Sequence, residues 1–161
     1  MTTLTTPLKR QVLNDKLQQQ TVDLLQKSLV NLVDLALLLK QAHWNVIGKN
    51  FRSIHLQLDE IIATVRDGSD EIAERIAALG LPADGRSGTV AADSDLSDYP
   101  RDFQQVADTI SLVADALKTT IDGLRHAIDK LGDIDPVSED LCIAIAGPLE
   151  KHLWMVQAQE S

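Results

Sequence analysis

Two pairs of side chains with metal-binding chemistry lie between residues 51 and 79, where the apolar spacing predicts a helix. His55 and Asp59 are four residues apart, and so are Asp70 and Glu74, which places each pair on one side of a helix within about one turn. Eleven residues separate the two aspartates, and because this is about three full turns, all four side chains share one face. Imidazole and carboxylate groups together suit a borderline-to-hard metal such as iron.

The distance between the two pairs limits how they could hold an ion. At a helical rise of about 1.5 Å per residue the two aspartates lie about 16 Å apart, so one chain cannot close both pairs around one metal. Two copies of the helix, packed antiparallel about a two-fold axis near residues 63–65, would set the first pair of one chain against the second pair of the other. The spacing thus favours a site shared between two subunits.

A third histidine, His43, ends the apolar side of the preceding predicted helix, and the short connection brings it near His55. Spacing alone also allows a second interpretation, in which the acids form a solvated helix flank and His43 packs in the core.

The sequence contains no Glu-x-x-His motif, so the di-iron site that a single four-helix bundle can hold is not expected. Residues 93–98 do not begin a calcium loop, since the glycine and the glutamate that such a loop needs are missing. Cys142 lies beside an apolar stripe, as buried thiols do.

Four stretches with apolar residues at helical spacing predict the elements that carry these side chains. The predicted helices cover about 11–45, 51–79, 103–131 and from 138 onward. Gly48 lies in the short first connection, where it can take the positive φ of a helix end. Ser138 is predicted to cap the start of the fourth helix.

The segment between the second and third predicted helices, residues 80–100, is too long for a hairpin turn. A crossover that runs the length of the bundle accounts for it. We therefore predict an all-α four-helix bundle with a long crossover between its second and third helices, and no strand. We divide the chain into a flexible N-terminal segment, residues 1–10, and a bundle domain, residues 11–158.

The composition restricts the class of protein. The chain has 161 residues with 24 Asp and Glu against 15 Lys and Arg, for a net charge of −9, which fits one acidic domain. Such a balance argues against a broad nucleic-acid-binding surface and suits cations as partners.

No run of about 18 uncharged apolar residues occurs, so we expect no membrane span, and the N-terminus lacks the pattern of a secretory signal. Cys142 is the only cysteine, which favours a reducing, cytoplasmic location.

These motifs resemble the ferroxidase signature of the Dps family (DNA-binding proteins from starved cells, the ferritin-like miniferritins). The matching residues are His43-Trp-Asn-Val-Ile-Gly48, Phe51, His55, Asp59-Glu60, Asp70-Glu-Ile-Ala-Glu74-Arg75, Asp98-Tyr-Pro100 and Leu149-Glu-Lys-His-Leu-Trp154. The resemblance covers nearly the whole chain, about residues 12–158. It implies a ferritin-like four-helix bundle that assembles into a hollow, twelve-subunit shell.

The resemblance also implies a function, namely iron storage and detoxification. Fe(II) would bind at two-fold interfaces, be oxidised there, preferably by hydrogen peroxide, and accumulate as ferric mineral in the cavity, which protects against oxidative stress. Iron is the implied metal, and ferroxidase is the implied enzymatic activity. Carried over by position, the ligands are His43, His55 and Asp59 from one subunit and Asp70 and Glu74 from its partner.

Three more residues gain candidate roles from the resemblance. Trp44 follows His43 and is either a sink for stray oxidising equivalents or a packing residue at an interface. Asp135 and Asp140 match the start of the last helix, which lines acidic pores at three-fold axes in this family. The alternative for Asp140 is a purely local one, in which its charge favours the helix N-terminus.

DNA binding, which gives the family its name, has little support here. The first twenty residues hold only Lys9, Arg10 and Lys16 as basic residues, with Asp15 among them, and residues 155–161 hold none. A shell of twelve acidic chains would repel phosphate, so we predict weak or absent DNA binding. The alternative function, a structural protein that compacts DNA, is therefore the less favoured one.

Overall fold

The structure is a computed structural model that describes residues 6–160. It contains the helices α1 (Asp15–Asn45), α2 (Phe51–Ala78), α3 (Ser87–Asp93), α4 (Val106–Leu131) and α5 (Pro136–Gln157). Two short strands, β1 (Val46–Ile47) and β2 (Gln104–Gln105), pair in parallel. The four long helices form the predicted bundle, and α3 lies within the predicted crossover. Of the N-terminal segment that we predict to be flexible, residues 1–5 lie outside the described part of the chain.

The core of the bundle is aliphatic, as the periodic stripes predict. Its largest fully buried side chains are leucines and isoleucines: Leu25, Leu32, Leu35, Leu39, Leu58, Ile61, Ile72, Ile76, Leu79, Leu117, Leu124 and Leu131. Burial of each such side chain stabilises the fold by about 1.5–3 kcal/mol. Cys142 is also fully buried in this core. Among residues 6–160, no helix has both the length and the apolar character that crossing a membrane requires.

The connection between α1 and α2 brings the two helices back alongside each other. Gly48 has a φ of +113°, which confirms the expected left-handed backbone at this helix end. Val46 and Ile47 pair with Gln104 and Gln105, so the prediction that the chain has no strand is wrong. The pairing gives the connection backbone partners that it could not find within its own few residues.

Three predicted helix starts differ from the structure. The first long helix begins at Asp15 instead of about residue 11, because Asn14 takes the N-cap position and its side chain accepts a backbone N–H. The third long helix begins at Val106 instead of Phe103, because the two residues before Val106 pair with β1 and leave Phe103 exposed. The fourth begins at Pro136, and Asp135 takes the N-cap position. Proline is favoured in the first turn because its missing N–H would have no partner there. Ser138 is therefore not the cap; it is buried, and its hydroxyl donates to Asp135.

Amide side chains of α1 hold the crossover against the bundle. Gln26 donates to the carbonyl of Asp84 (2.7 Å) and accepts from the Asp84 N–H (2.9 Å). Asn31 donates to the Asp95 carboxylate (3.1 Å) and accepts from the Asp95 N–H (3.0 Å). These paired bonds satisfy backbone groups that a segment with little regular structure would otherwise leave unpaired.

We expect Asn31→Ala to loosen the crossover. Asn31 is only 1% exposed, so its removal leaves the Asp95 N–H without a partner and lowers the free energy of unfolding by about 1–3 kcal/mol. Limited trypsin digestion should then cleave faster after Arg86, within the crossover. Gln19→Ala is the matched control, because the Gln19 amide donates to Asp23 on the exposed side of α1, away from the crossover. Equal cleavage rates in the two variants would contradict the assignment.

Candidate metal centre

Two histidines meet where α1 ends and α2 begins. The rings of His43 and His55 stack with their centroids 3.7 Å apart, which confirms the predicted proximity. Each Nδ1 lies 2.8 Å from the backbone carbonyl oxygen of the other residue. Because a carbonyl oxygen only accepts, each Nδ1 carries a proton, and in the neutral ring the lone pair lies on Nε2. Both Nε2 atoms are thereby the nitrogens with a lone pair that could bind a metal.

The local fold explains why this pair forms. His43 lies in the last turn of α1, where backbone carbonyls have no partner within the helix, and the His55 ring supplies the missing donor. His43 is 7% exposed and so is also held by packing. The two rings are thus fixed by two directional bonds as well as by the core.

Asp59 lies one turn beyond His55 on α2 and accepts a hydrogen bond from Lys40 Nζ at 2.6 Å. Its carboxylate is 3.5 Å from Nδ1 of His43. The hydrogen bond from Lys40 is the main cause that holds the pKa of Asp59 below its ordinary value, with the nearby histidines adding to it. The carboxylate is therefore anionic beside the imidazoles, and the Lys40 ammonium compensates its charge.

The other two predicted ligands, Asp70 and Glu74, are exposed on the same helix, about three turns further along. Within residues 6–160, no three His, Cys, Asp or Glu side chains come together in a set that could hold a metal ion. The fold brings His43, His55 and Asp59 close to one another, and it leaves Asp70 and Glu74 apart from them. A metal centre built from all five therefore needs a second chain.

The remaining candidates differ in how open they are to solvent. Trp44 is 65% exposed, next to the buried His43. Asp135 is buried and pairs with Arg75 at 2.7 Å. Burial alone would raise the pKa of Asp135, but hydrogen bonds from Ser138 and Arg75 outweigh it and hold the pKa below its ordinary value. Of the two pore candidates, only Asp140 is exposed.

Two basic residues of this region, Lys40 and Arg75, were not predicted from the sequence. Lys40 precedes His43 by three residues, which places both on one side of α1, and that spacing is a signal that could have found it. Arg75 follows Glu74 directly, but its partner Asp135 is 60 residues away. No local pattern indicates such a contact.

Comparisons with known proteins agree on one family. Residues 22–160 match the family Ferritin, described as a ferritin-like domain. The DNA protection during starvation protein of Mycolicibacterium smegmatis is 41% identical over 146 residues, which cover 91% of this chain and 80% of that protein. The structure of DpsA14 from Streptomyces coelicolor is similar at a TM-score of 0.91, with 33% identity over 98% of this chain and 94% of that one. The structure of Dps from Microbacterium arborescens in its high iron form is similar at a TM-score of 0.88, with 33% identity over 93% and 98%.

We expect Lys40→Met to raise the pKa of Asp59. The ammonium favours the ionised carboxyl, so its removal shifts protonation of Asp59 to higher pH, toward the range of ordinary aspartates. Carbon-13 NMR of labelled aspartate carboxyls, recorded as the pH is lowered, measures this midpoint. Lys118→Met is the control, because Lys118 pairs with Asp122 on α4 instead. If the Asp59 midpoint is the same in both variants, the ion pair does not govern this carboxylate.

Proposed function

The chain belongs to the Dps family of ferritin-like proteins, and on that premise we propose that it oxidises Fe(II) at sites shared between two subunits. Family membership supports iron storage and protection as the broad function. Our finer proposals are the ferroxidase activity, hydrogen peroxide as the preferred oxidant, and storage of ferric mineral inside a hollow shell of twelve chains. The high iron form of the Microbacterium arborescens relative supports iron as the substrate.

The observation that carries the proposal is the placement of two incomplete ligand sets on one chain. We define half-site A as His43, His55 and Asp59, and half-site B as Asp70 and Glu74. Half-site A is already ordered by hydrogen bonds between its members and their neighbours. Half-site B lies on the same face of the same helix, and an antiparallel copy of α2 would set it against half-site A of the partner.

The side chains along this face of α2 support the pairing. In the register that closes both sites, large exposed side chains of α2 face small ones of the second copy. The opposed pairs are Leu56 with Ala73, Arg66 with Ala63, and Arg52 with Ala77. Large residues against small ones let two helices approach closely. Leu56 is 45% exposed in the single chain, and the interface would remove this apolar surface from water.

The chemistry follows from the ligand types. Two Fe(II) ions each give one electron to one molecule of hydrogen peroxide; its O–O bond breaks, and two protons complete two water molecules. Asp59 and Glu74 would be the main anionic ligands, and their charge favours the ferric product. His43 and His55 would bind through Nε2, and Asp70 would either bind or orient a histidine. Asp59 has to exchange its Lys40 partner for the metal.

The accessory roles rest on exposure and charge. Trp44 is exposed beside His43, where it could take up an oxidising equivalent or pack against another subunit. Asp140 is our candidate for an acidic entry pore, because its carboxylate is open to solvent. Asp135 is a weaker pore candidate, since its charge is compensated by Arg75.

We predict that half-sites from two different mutants can combine. His55→Ala and Glu74→Ala should each abolish rapid ferric absorbance after anaerobic addition of Fe(II) and peroxide, because each mutation damages both sites of a homodimer. Co-expression of the two chains should restore activity, since a mixed dimer keeps one site with its whole ligand set. Unchanged oxidation in either single mutant, or no recovery in the mixture, would refute the shared site.

DNA binding remains the second candidate, and we propose that it is weak or absent. Lys9 and Arg10 are exposed, but few phosphate contacts cannot overcome the repulsion of an acidic shell. In a gel-shift experiment at about 0.15 M salt, we expect no stable complex with linear duplex DNA. The same chain with an added lysine-rich C-terminal tail is the positive control. A tight complex of the unmodified chain would reverse this assignment.

A further inference from the structure

Arg75, which directly follows Glu74, ties the end of α2 to the start of α5. Its Nη2 donates to Asp135 Oδ2 at 2.7 Å, and its Nε donates to Ser138 Oγ at 2.9 Å. The Ser138 hydroxyl in turn donates to the same carboxylate oxygen. The three side chains thus form a closed set of hydrogen bonds between the two helices, which we call the Arg75 clip.

The clip is shielded from water. The side chains of Arg75 and Asp135 are 19% and 5% exposed, and Ser138 is fully buried. By contrast, the Arg125–Glu150 pair between α4 and α5 is 66% and 37% exposed. A guanidinium holds its donors in a rigid plane, so two bonds from one Arg fix an orientation as well as a distance.

The position of the clip matters because Glu74 lies near the end of its helix. α2 ends at Ala78, and terminal turns open more easily than central ones. A metal ligand has to be held within about 0.5 Å of its working position. Ile72 and Ile76 anchor this turn in the core and set which face of the helix is buried, and the directional bonds of the clip add a restraint on its orientation that apolar contacts alone do not supply.

We propose that Arg75 is a positioning residue for half-site B. It fixes the last turns of α2 against α5, so that the Glu74 carboxylate meets the partner's half-site A. Half-site A has its own directional restraint in the paired histidine bonds, and the Arg75 clip is the matching restraint on the other half. The inference rests on the proposed function, because it requires Glu74 to be a ligand.

The test uses mixed assemblies in which a single kind of site is active. When chains carrying His55→Ala and Glu74→Ala are co-expressed, every homodimer is inactive. The one complete site of a mixed dimer takes half-site B from the His55→Ala chain and half-site A from the other. Arg75→Lys is then added to one chain or the other. Lysine keeps the charge beside Asp135 but cannot reach both partners in the same geometry.

We expect the effect to depend on which chain carries Arg75→Lys. On the His55→Ala chain, it lies beside the active Glu74 and should weaken anaerobic Co(II) binding, followed by visible absorbance, by about tenfold. The Fe(II) concentration for half-maximal oxidation should rise in parallel. On the Glu74→Ala chain, the same substitution should leave both measurements unchanged. Arg125→Lys on the His55→Ala chain is the matched control, because it alters an α4–α5 ion pair with no link to α2.

Each outcome decides between distinct explanations. If Arg75→Lys weakens Co(II) binding equally on either chain, the proposal is overturned and Arg75 serves general stability or assembly. Thermal unfolding of the two mixtures would then also show a loss of stability. No weakening from either chain would overturn it as well. If the two starting mutants fail to complement before Arg75 is changed, the shared site itself is wrong, and the failure then belongs to the proposed function.

Discussion

The length of α2 is the constraint on which the rest of the structure depends. A helix of 28 residues holds its two ligand sets about three turns apart, and no side chain is long enough to bridge them. Half-site A draws His43 from the end of α1, whereas half-site B consists of two carboxylates without a histidine. Under the proposed function, each copy would supply half-site A to one shared site and half-site B to the other.

Two basic residues next to the half-sites compensate acidic charge in different ways. Lys40 pairs with Asp59, one of the proposed ligands. Arg75 pairs instead with Asp135, which is buried at the start of α5. The Lys40–Asp59 pair can change partners at little cost, because an exposed ion pair contributes little to stability. The Arg75–Asp135 pair cannot, because loss of one partner would leave the charge of the other buried without compensation.

The periodicity of the sequence predicted those features that depend only on the spacing of neighbouring residues. The aliphatic stripes located the four long helices, and the four-residue intervals placed two ligand pairs on one face of α2. The predicted start of α4 was wrong because a distant contact decides it: β1 pairs with the residues after Phe103. The predicted start of α5 was wrong for a local reason, since Asp135 takes the N-cap position instead of Ser138. The Arg75 clip was missed because its partners are 60 and 63 residues away. Whether the five ligands bind iron together depends on a second chain, which neither the spacing nor the fold of one chain contains.

The burial of Cys142 has a consequence for a protein that is proposed to consume peroxide. Thiols react with peroxide as thiolates, and burial raises the pKa of Cys142 to about 11. This is the one cysteine of the chain, and the core covers it completely. If the chain consumes peroxide as proposed, Cys142 would therefore be a poor target for thiol oxidation and for crosslinking through sulfur.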